Sequence, residues 1–139
     1  MKTRVLDSWA ILEWIAGRQP ACDVVAALLA DAEAGHARLL MSAINVGEVY
    51  YCLCKNHSPK LGQDWRESAA TLPITIDVPS ASGIWDAAEL KACYPIAHAD
   101  AFAAALARRH SCRLLTGDPE LRMIDHLELD WLGPSVRVK

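Results

Sequence analysis

Short apolar runs alternate with longer stretches of helical periodicity along the whole chain. Residues 3–6 read as a buried strand, and Ser8–Ala16 as an apolar-rich helix that ends near Gly17 and Pro20. Residues 21–35 predict a second helix with Val24, Val25, Leu28 and Leu29 on one face. A second strand is expected at 38–42, a third helix at 45–55 and a fourth from 59 to about 71. The β-branched content of residues 72–77 predicts a third strand. Helices follow at 80–91 and 99–109 on either side of a Tyr94-Pro95 connector. A fourth strand is expected at 112–115, a short helix at Pro119–Met123 and a fifth strand at 127–132. Strands alternating with helices argue an α/β layer architecture with a mostly parallel sheet. The strands are short and the helical share is high, which fits a small three-layer α/β/α domain better than a barrel. No repeat, low-complexity tract or long linker divides the chain, so one domain over residues 1–139 is expected.

At four places an apolar run gives way to a helix start at an acid. These are Asp7 after Thr-Arg-Val-Leu, Glu48 after Leu-Leu-Met-Ser-Ala-Ile-Asn, Asp100 in Pro-Ile-Ala-His-Ala-Asp-Ala, and Asp118 in Leu-Leu-Thr-Gly-Asp-Pro. In a parallel sheet the carboxyl ends of the strands share one edge, where the four acids can meet. Each also has a structural reading. Asp7 suits a helix N-cap, Asn45-x-x-Glu48 matches a capping box, Asp118-Pro119 pairs an N-cap with a first-turn proline, and Asp100 lies in a first helical turn. The set demands more. Asp7, Asp100 and Asp118 have no basic neighbour in sequence, and crowded carboxylates without a cation destabilise a fold. A divalent ion that prefers oxygen ligands, Mg²⁺ or Mn²⁺, is the natural compensation. Such an ion acidifies its bound water and steadies charge on a phosphate, so the expected chemistry is phosphodiester hydrolysis.

Composition changes this picture little. Hydrophobic residues at 53% and charged residues at 22% describe a globular chain. No segment approaches the roughly 18 uninterrupted apolar residues of a membrane span. The start, Met-Lys-Thr-Arg-Val-Leu-Asp, does not resemble a signal peptide, and a cytoplasmic protein is expected. The five cysteines are irregularly spaced and read as reduced thiols, not a zinc site. A net charge of −3 is awkward for a nucleic-acid enzyme. Two basic groups, Arg108-Arg109-His110 with Arg113 and Lys55, His57 and Lys60, suit either phosphate contact or ordinary solvated helix ends.

Val5-Leu6-Asp7-Ser8, Ser42 to Tyr51, Ala97-His98-Ala99-Asp100-Ala101-Phe102 and Leu115-Thr116-Gly117-Asp118-Pro119-Glu120 resemble, in order and spacing, the motifs of PIN domains. The likeness is to the VapC-type ribonuclease toxins of prokaryotic toxin–antitoxin pairs and runs from about residue 3 to residue 132. It implies a PIN-like sandwich with a five-stranded sheet and a Mg²⁺- or Mn²⁺-dependent endoribonuclease. It implies that Asp7, Glu48, Asp100 and Asp118 hold one or two ions, with Ser8 and Thr116 as supporting hydroxyls. Glu120 is either a fifth acid of the site, a group behind it, or a first-turn helix acid. The partners implied are an RNA substrate, a VapB-type antitoxin and a second copy of the chain. One departure is Gln19, where similar toxins often carry an acid; it bears on loop or partner contacts, not on the metal site.

Two other classes remain open on the residues alone. A non-catalytic PIN-like RNA-binding or scaffold module usually lacks one or more of the acids, and all four are present here. An acidic-pocket phosphohydrolase or receiver is disfavoured: Trp9 stands where a haloacid-dehalogenase-like phosphatase needs a second Asp, and Leu114-Leu115-Thr116 carries no lysine. Trp9 and Trp14 read as core or interface, His98 as capping or packing, and Tyr50-Tyr51 as inward-facing with one hydroxyl near the cleft. The helices around 9–15 and 46–53 are expected to carry exposed apolar patches for partners.

Overall fold

The computed structural model describes residues 1–134; the last five residues of the expected domain lie outside the described residues. Five parallel strands form one sheet: β1 (Lys2–Leu6), β2 (Ala37–Ser42), β3 (Thr75–Asp77), β4 (Arg113–Thr116) and β5 (Leu129–Trp131), in the order β3-β2-β1-β4-β5. Val5 pairs with Leu40 on one side and Leu114 on the other, which fixes the central register. The helices are α1 (Ser8–Ala16), α2 (Ala21–Glu33), α3 (Ala43–Asn56), α4 (Pro59–Ala69), α5 (Ala81–Cys93) and α6 (His98–Arg109), with a short 3₁₀ helix at Pro119–Met123.

Strand order dictates the layers. The chain steps outward from β1 to β2 to β3, and then crosses back to β4. Right-handed crossovers place the helices of outward and returning steps on opposite faces. Side-chain alternation serves both faces: Leu6, Leu39, Met41 and Leu115 pack under α1–α4, whereas Val5, Leu40 and Leu114 pack under α5 and α6. This is the three-layer α/β/α architecture expected from the alternation of elements. No helix among the described residues is long and apolar enough to cross a membrane.

Several expectations are corrected. The third strand is only Thr75–Asp77, because Pro73 has no N–H to give a ladder and Leu72 and Ile74 instead pack against the α1–α4 core. The third helix begins at Ala43, since the Ser42 hydroxyl accepts the Ile44 N–H and caps it. Val24 leaves the buried face of α2 and is 37% exposed. The apolar residues of 9–15 and 46–53 pack mostly into the core instead of forming exposed patches. Exposed apolar surface lies instead at Ile76, Val78, Ile84 and Trp85. Of Tyr50 and Tyr51, only Tyr50 packs inward.

Helices α3 and α4 meet closely at Gly62. A Cβ there would fall well inside contact distance of Cys54 Sγ and 3.3 Å from the Tyr50 carbonyl oxygen. Gly62→Ala is therefore expected to lose about 1–2 kcal/mol, overpacking outweighing the roughly 1 kcal/mol gained in helix propensity. Adding Cys54→Ala should recover most of that loss. Urea denaturation of the single and double variants measures both, and an unchanged midpoint for the single variant would contradict the close approach.

Candidate metal centre

The sheet order reverses between β1 and β4, and the loops leaving these neighbouring central strands diverge to opposite faces. A crevice at such a switch point, beyond the carboxyl ends of the strands, is where open α/β sheets take ligands. Asp7 follows β1, and Asp118 follows β4 by two residues. Asp100 lies in the first turn of α6, and Glu48 in the second turn of α3.

Asp7 is 1% exposed. Its Oδ1 accepts the Ala10 N–H at 2.9 Å, so it does cap α1, while Oδ2 is buried with no partner. The cap aims the carboxyl group, and the second oxygen is left for something else. Burial pushes its pKa up from 3.8 to about 7; the Thr116 hydroxyl and the Ala10 N–H work against this, and the Asp118 and Glu48 charges add to it. Asp100 is 7% exposed and also has a buried, unpartnered Oδ2. Burial, reinforced by Asp118 and then by Asp7 and Glu48, raises its pKa to about 8. The Asp118 and Glu48 charges thus both bear on Asp7 and on Asp100. Among the described residues, none of them forms an ion pair.

Oxygens of Asp100, Asp118 and Glu120 lie within 4.8 Å of one another; Asp7 and Glu48 stand outside that tight group. Asp118 is the N-cap of the 3₁₀ helix, its Oδ1 accepting the Glu120 N–H at 3.0 Å, with Pro119 in the first turn as its sequence suggests. The buried Thr116 hydroxyl accepts the Asp118 N–H at 3.0 Å, so it braces Asp118 while standing beside Asp7. The Tyr51 hydroxyl donates to Glu48 Oε2 at 3.3 Å from the surface of α3.

The capping-box reading of Asn45 and Glu48 is wrong. Ser42 caps α3, and Asn45 is fully buried one turn inside it. Asn45 Nδ2 donates to Ser8 Oγ at 3.2 Å and to the Ala99 carbonyl at 3.3 Å, while Ser8 Oγ donates back to the Asn45 carbonyl. One amide therefore ties the residue after Asp7 and the residue before Asp100 to the helix that carries Glu48. Sequence reasoning missed this role; the available signal was an amide three residues before Glu48 in an otherwise apolar run. His98 packs edge-on against Phe102 at 5.1 Å. The basic residues Arg108 and Arg109 close the far end of α6, about 12 Å along the helix from Asp100, where cations suit the helix dipole. Arg109 pairs with Asp86, Arg113 with Asp130, and Lys60 with Asp64. Gln19 accepts the Asp23 N–H at the start of α2.

No curated protein matches this sequence. Solved structures do. The VapBC2 structure from Rickettsia felis, bound to a DNA fragment from its promoter, aligns at a TM-score of 0.71 and 18% identity, covering 92% of this chain and 97% of that one. DNA-bound VapBC from Salmonella typhimurium aligns at 0.72 and 14%, covering 94% and 98%. VapC20 of Mycobacterium tuberculosis, a Sarcin-Ricin loop cleaving toxin, aligns at 0.69 and 14%, covering 87% and 93%. Residues 4–127 match the family model of the PIN domain, and the chain belongs to that family.

Proposed function

We propose that this chain is a Mg²⁺- or Mn²⁺-dependent endoribonuclease, a single-domain cytoplasmic toxin restrained by a VapB-type antitoxin. The observation that carries the reading is the pair of buried, unpartnered carboxylate oxygens on Asp7 and Asp100, set among further acids with no cation beside them. Hard oxygen donors in that number fit a divalent ion of the magnesium type. Asp7, Glu48, Asp100 and Asp118 would hold it. When bound, the ion supplies Lewis acidity toward a phosphate and lowers the pKa of a coordinated water. The chain's own residues do the rest. Asn45, Ser8 and Thr116 hold the elements that carry the carboxyls in place, and an RNA backbone would approach over the carboxyl ends of the strands. The likeness to VapBC structures supports the antitoxin and toxin parts of the reading.

Cleavage of a labelled RNA panel with and without Mg²⁺ or Mn²⁺ tests the activity. Asp100→Asn removes a ligand charge and should lower cleavage by roughly 10²–10⁴-fold while the fold persists. Asp7→Asn should do likewise. Full activity in well-folded Asp100→Asn protein would exclude the proposed role.

Without metal, Asp7 and Asp100 have raised folded-state pKa values, so the folded state holds protons that the unfolded chain releases near pH 3.8. Their contribution is therefore present at low pH and is lost as pH rises through about 7 and about 8. The metal-free protein should melt several degrees lower at pH 8.5 than at pH 5.5. Asp100→Asn should flatten that slope, and Mn²⁺ should restore stability most at the higher pH. A parent and variant with identical slopes would contradict the assignment.

A homodimer and a small antitoxin are the expected partners. Light scattering should give twice the chain mass, and expression without the antitoxin should arrest growth, relieved by Asp100→Asn. A strict monomer at high concentration removes the dimer, and harmless expression of active protein removes the toxin.

A further inference from the structure

Helix α6 carries Asp100 into the acidic cluster, yet its N-cap, Ala97, has no side chain able to cap it. Counting from Ala97, Asp100 occupies the third helical position, where the acid of a capping box ordinarily reaches back to the N-cap N–H. Asp100 does not do this. Its carboxyl is turned into the acidic cluster and keeps a buried, unpartnered oxygen. The Ala97 N–H donates instead to Glu120 Oε2 at 3.1 Å, from a residue 23 positions later.

We propose that Glu120 is a positioning residue that completes the α6 capping box from the neighbouring 3₁₀ helix and so releases Asp100 to serve the metal centre. The proposal rests on the metal-dependent reading above. A hydrogen-bonded path supports it: Thr116 Oγ1 accepts the Asp118 N–H, Asp118 Oδ1 accepts the Glu120 N–H, and Glu120 Oε2 accepts the Ala97 N–H. The end of β4 and the start of α6 are thereby locked together, with Asp118 inside the path and Asp100 three residues beyond its Ala97 end. Glu120 also places negative charge at the positive end of the α6 dipole. Its nearness to Asp100 and Asp118 follows from this bond, and Glu120 contributes no ligand oxygen to the ion.

Glu120→Gln keeps a carbonyl acceptor for Ala97 and loses the charge; Glu120→Ala loses both. The full chain and both variants are compared by amide hydrogen exchange at Ala97, by Mn²⁺ titration calorimetry and by RNA cleavage. In Glu120→Ala, exchange at Ala97 should speed up on the order of tenfold, and Mn²⁺ affinity should fall about 10–100-fold. Glu120→Gln should rescue both to within about threefold of the parent. If Glu120→Gln loses as much Mn²⁺ affinity as Glu120→Ala, the carboxylate is a ligand and the proposal fails. If Glu120→Ala leaves the Ala97 exchange rate unchanged, the clasp does not exist. A parent that neither binds Mn²⁺ nor cuts RNA overturns the nuclease reading, and with it the metal part of this proposal. The exchange contrast alone then decides the clasp.

Discussion

Two buried carboxyl groups, one just after β1 and one in the first turn of α6, have no ion-pair partner among the described residues, and they set the terms for everything around them. Water is nearly excluded from Asp7 and Asp100, which are 1% and 7% exposed. An unpaired charge in such a place is costly, so without a partner the groups hold protons near neutral pH. Only part of the cost is offset locally. Helix α1 gives the Ala10 N–H to Asp7 Oδ1, and Asp100 lies in the first turn of α6 near the positive end of its dipole, but a buried oxygen of each acid has no partner. A site built this way favours any cation that fits.

What keeps the carboxyls from relaxing apart is a set of cross-links running between elements. Asn45 bonds the turn after β1 and the first turn of α6 to α3. Thr116 and Asp118 brace the turn after β4. Trp9 packs over Gly117, where any Cβ would collide with the indole, so the turn before Asp118 needs a glycine for a packing reason and not for its backbone angles. Each link is an ordinary hydrogen bond or contact, worth about 1 kcal/mol. Together they fix repelling groups at separations that an isolated pair of side chains would not keep, which is the preorganisation a metal or catalytic site requires.

Much of this was legible in the sequence because it is local. Alternating apolar runs and helical periods gave the element order, and the caps at Asp7 and Asp118 announced themselves by residue type and by Pro119. Most of the misreadings share one cause: the deciding contact is distant in sequence. Ser42 and Asn45 both resemble caps, and only the packing of α3 against Ser8 and Ala99, separated from Asn45 by 37 and 54 residues, decides between them. Glu120 was ambiguous for the same reason, since its partner Ala97 lies 23 residues earlier. Residues 72–77 have strand composition, but the edge of the sheet and Pro73 leave only half of them in the ladder. The apolar helices at 9–15 and 46–53 looked sticky because hydrophobicity alone does not reveal that two further helices, α2 and α4, cover them.

Charge is the remaining tension in the proposed reading. A polyanion must approach an acidic crevice on a chain of net charge −3. Many of the basic side chains are already engaged: Lys2 with Asp31, Arg4 and Arg113 with Asp130, Arg18 with Glu13, Lys60 with Asp64 and Arg109 with Asp86. Such surface pairs are weak and screened, so they can exchange acid for phosphate at small cost. Arg108 and Arg109, however, sit at the end of α6 away from Asp100. On the proposed reading, attraction at the acids themselves would therefore fall to the cation they would hold. Metal and substrate would then be mutually dependent: the acids alone repel phosphate, and a hard divalent ion held by them would attract it. On this account the same buried carboxylates that burden the empty fold make binding of the nucleic acid conditional on the metal.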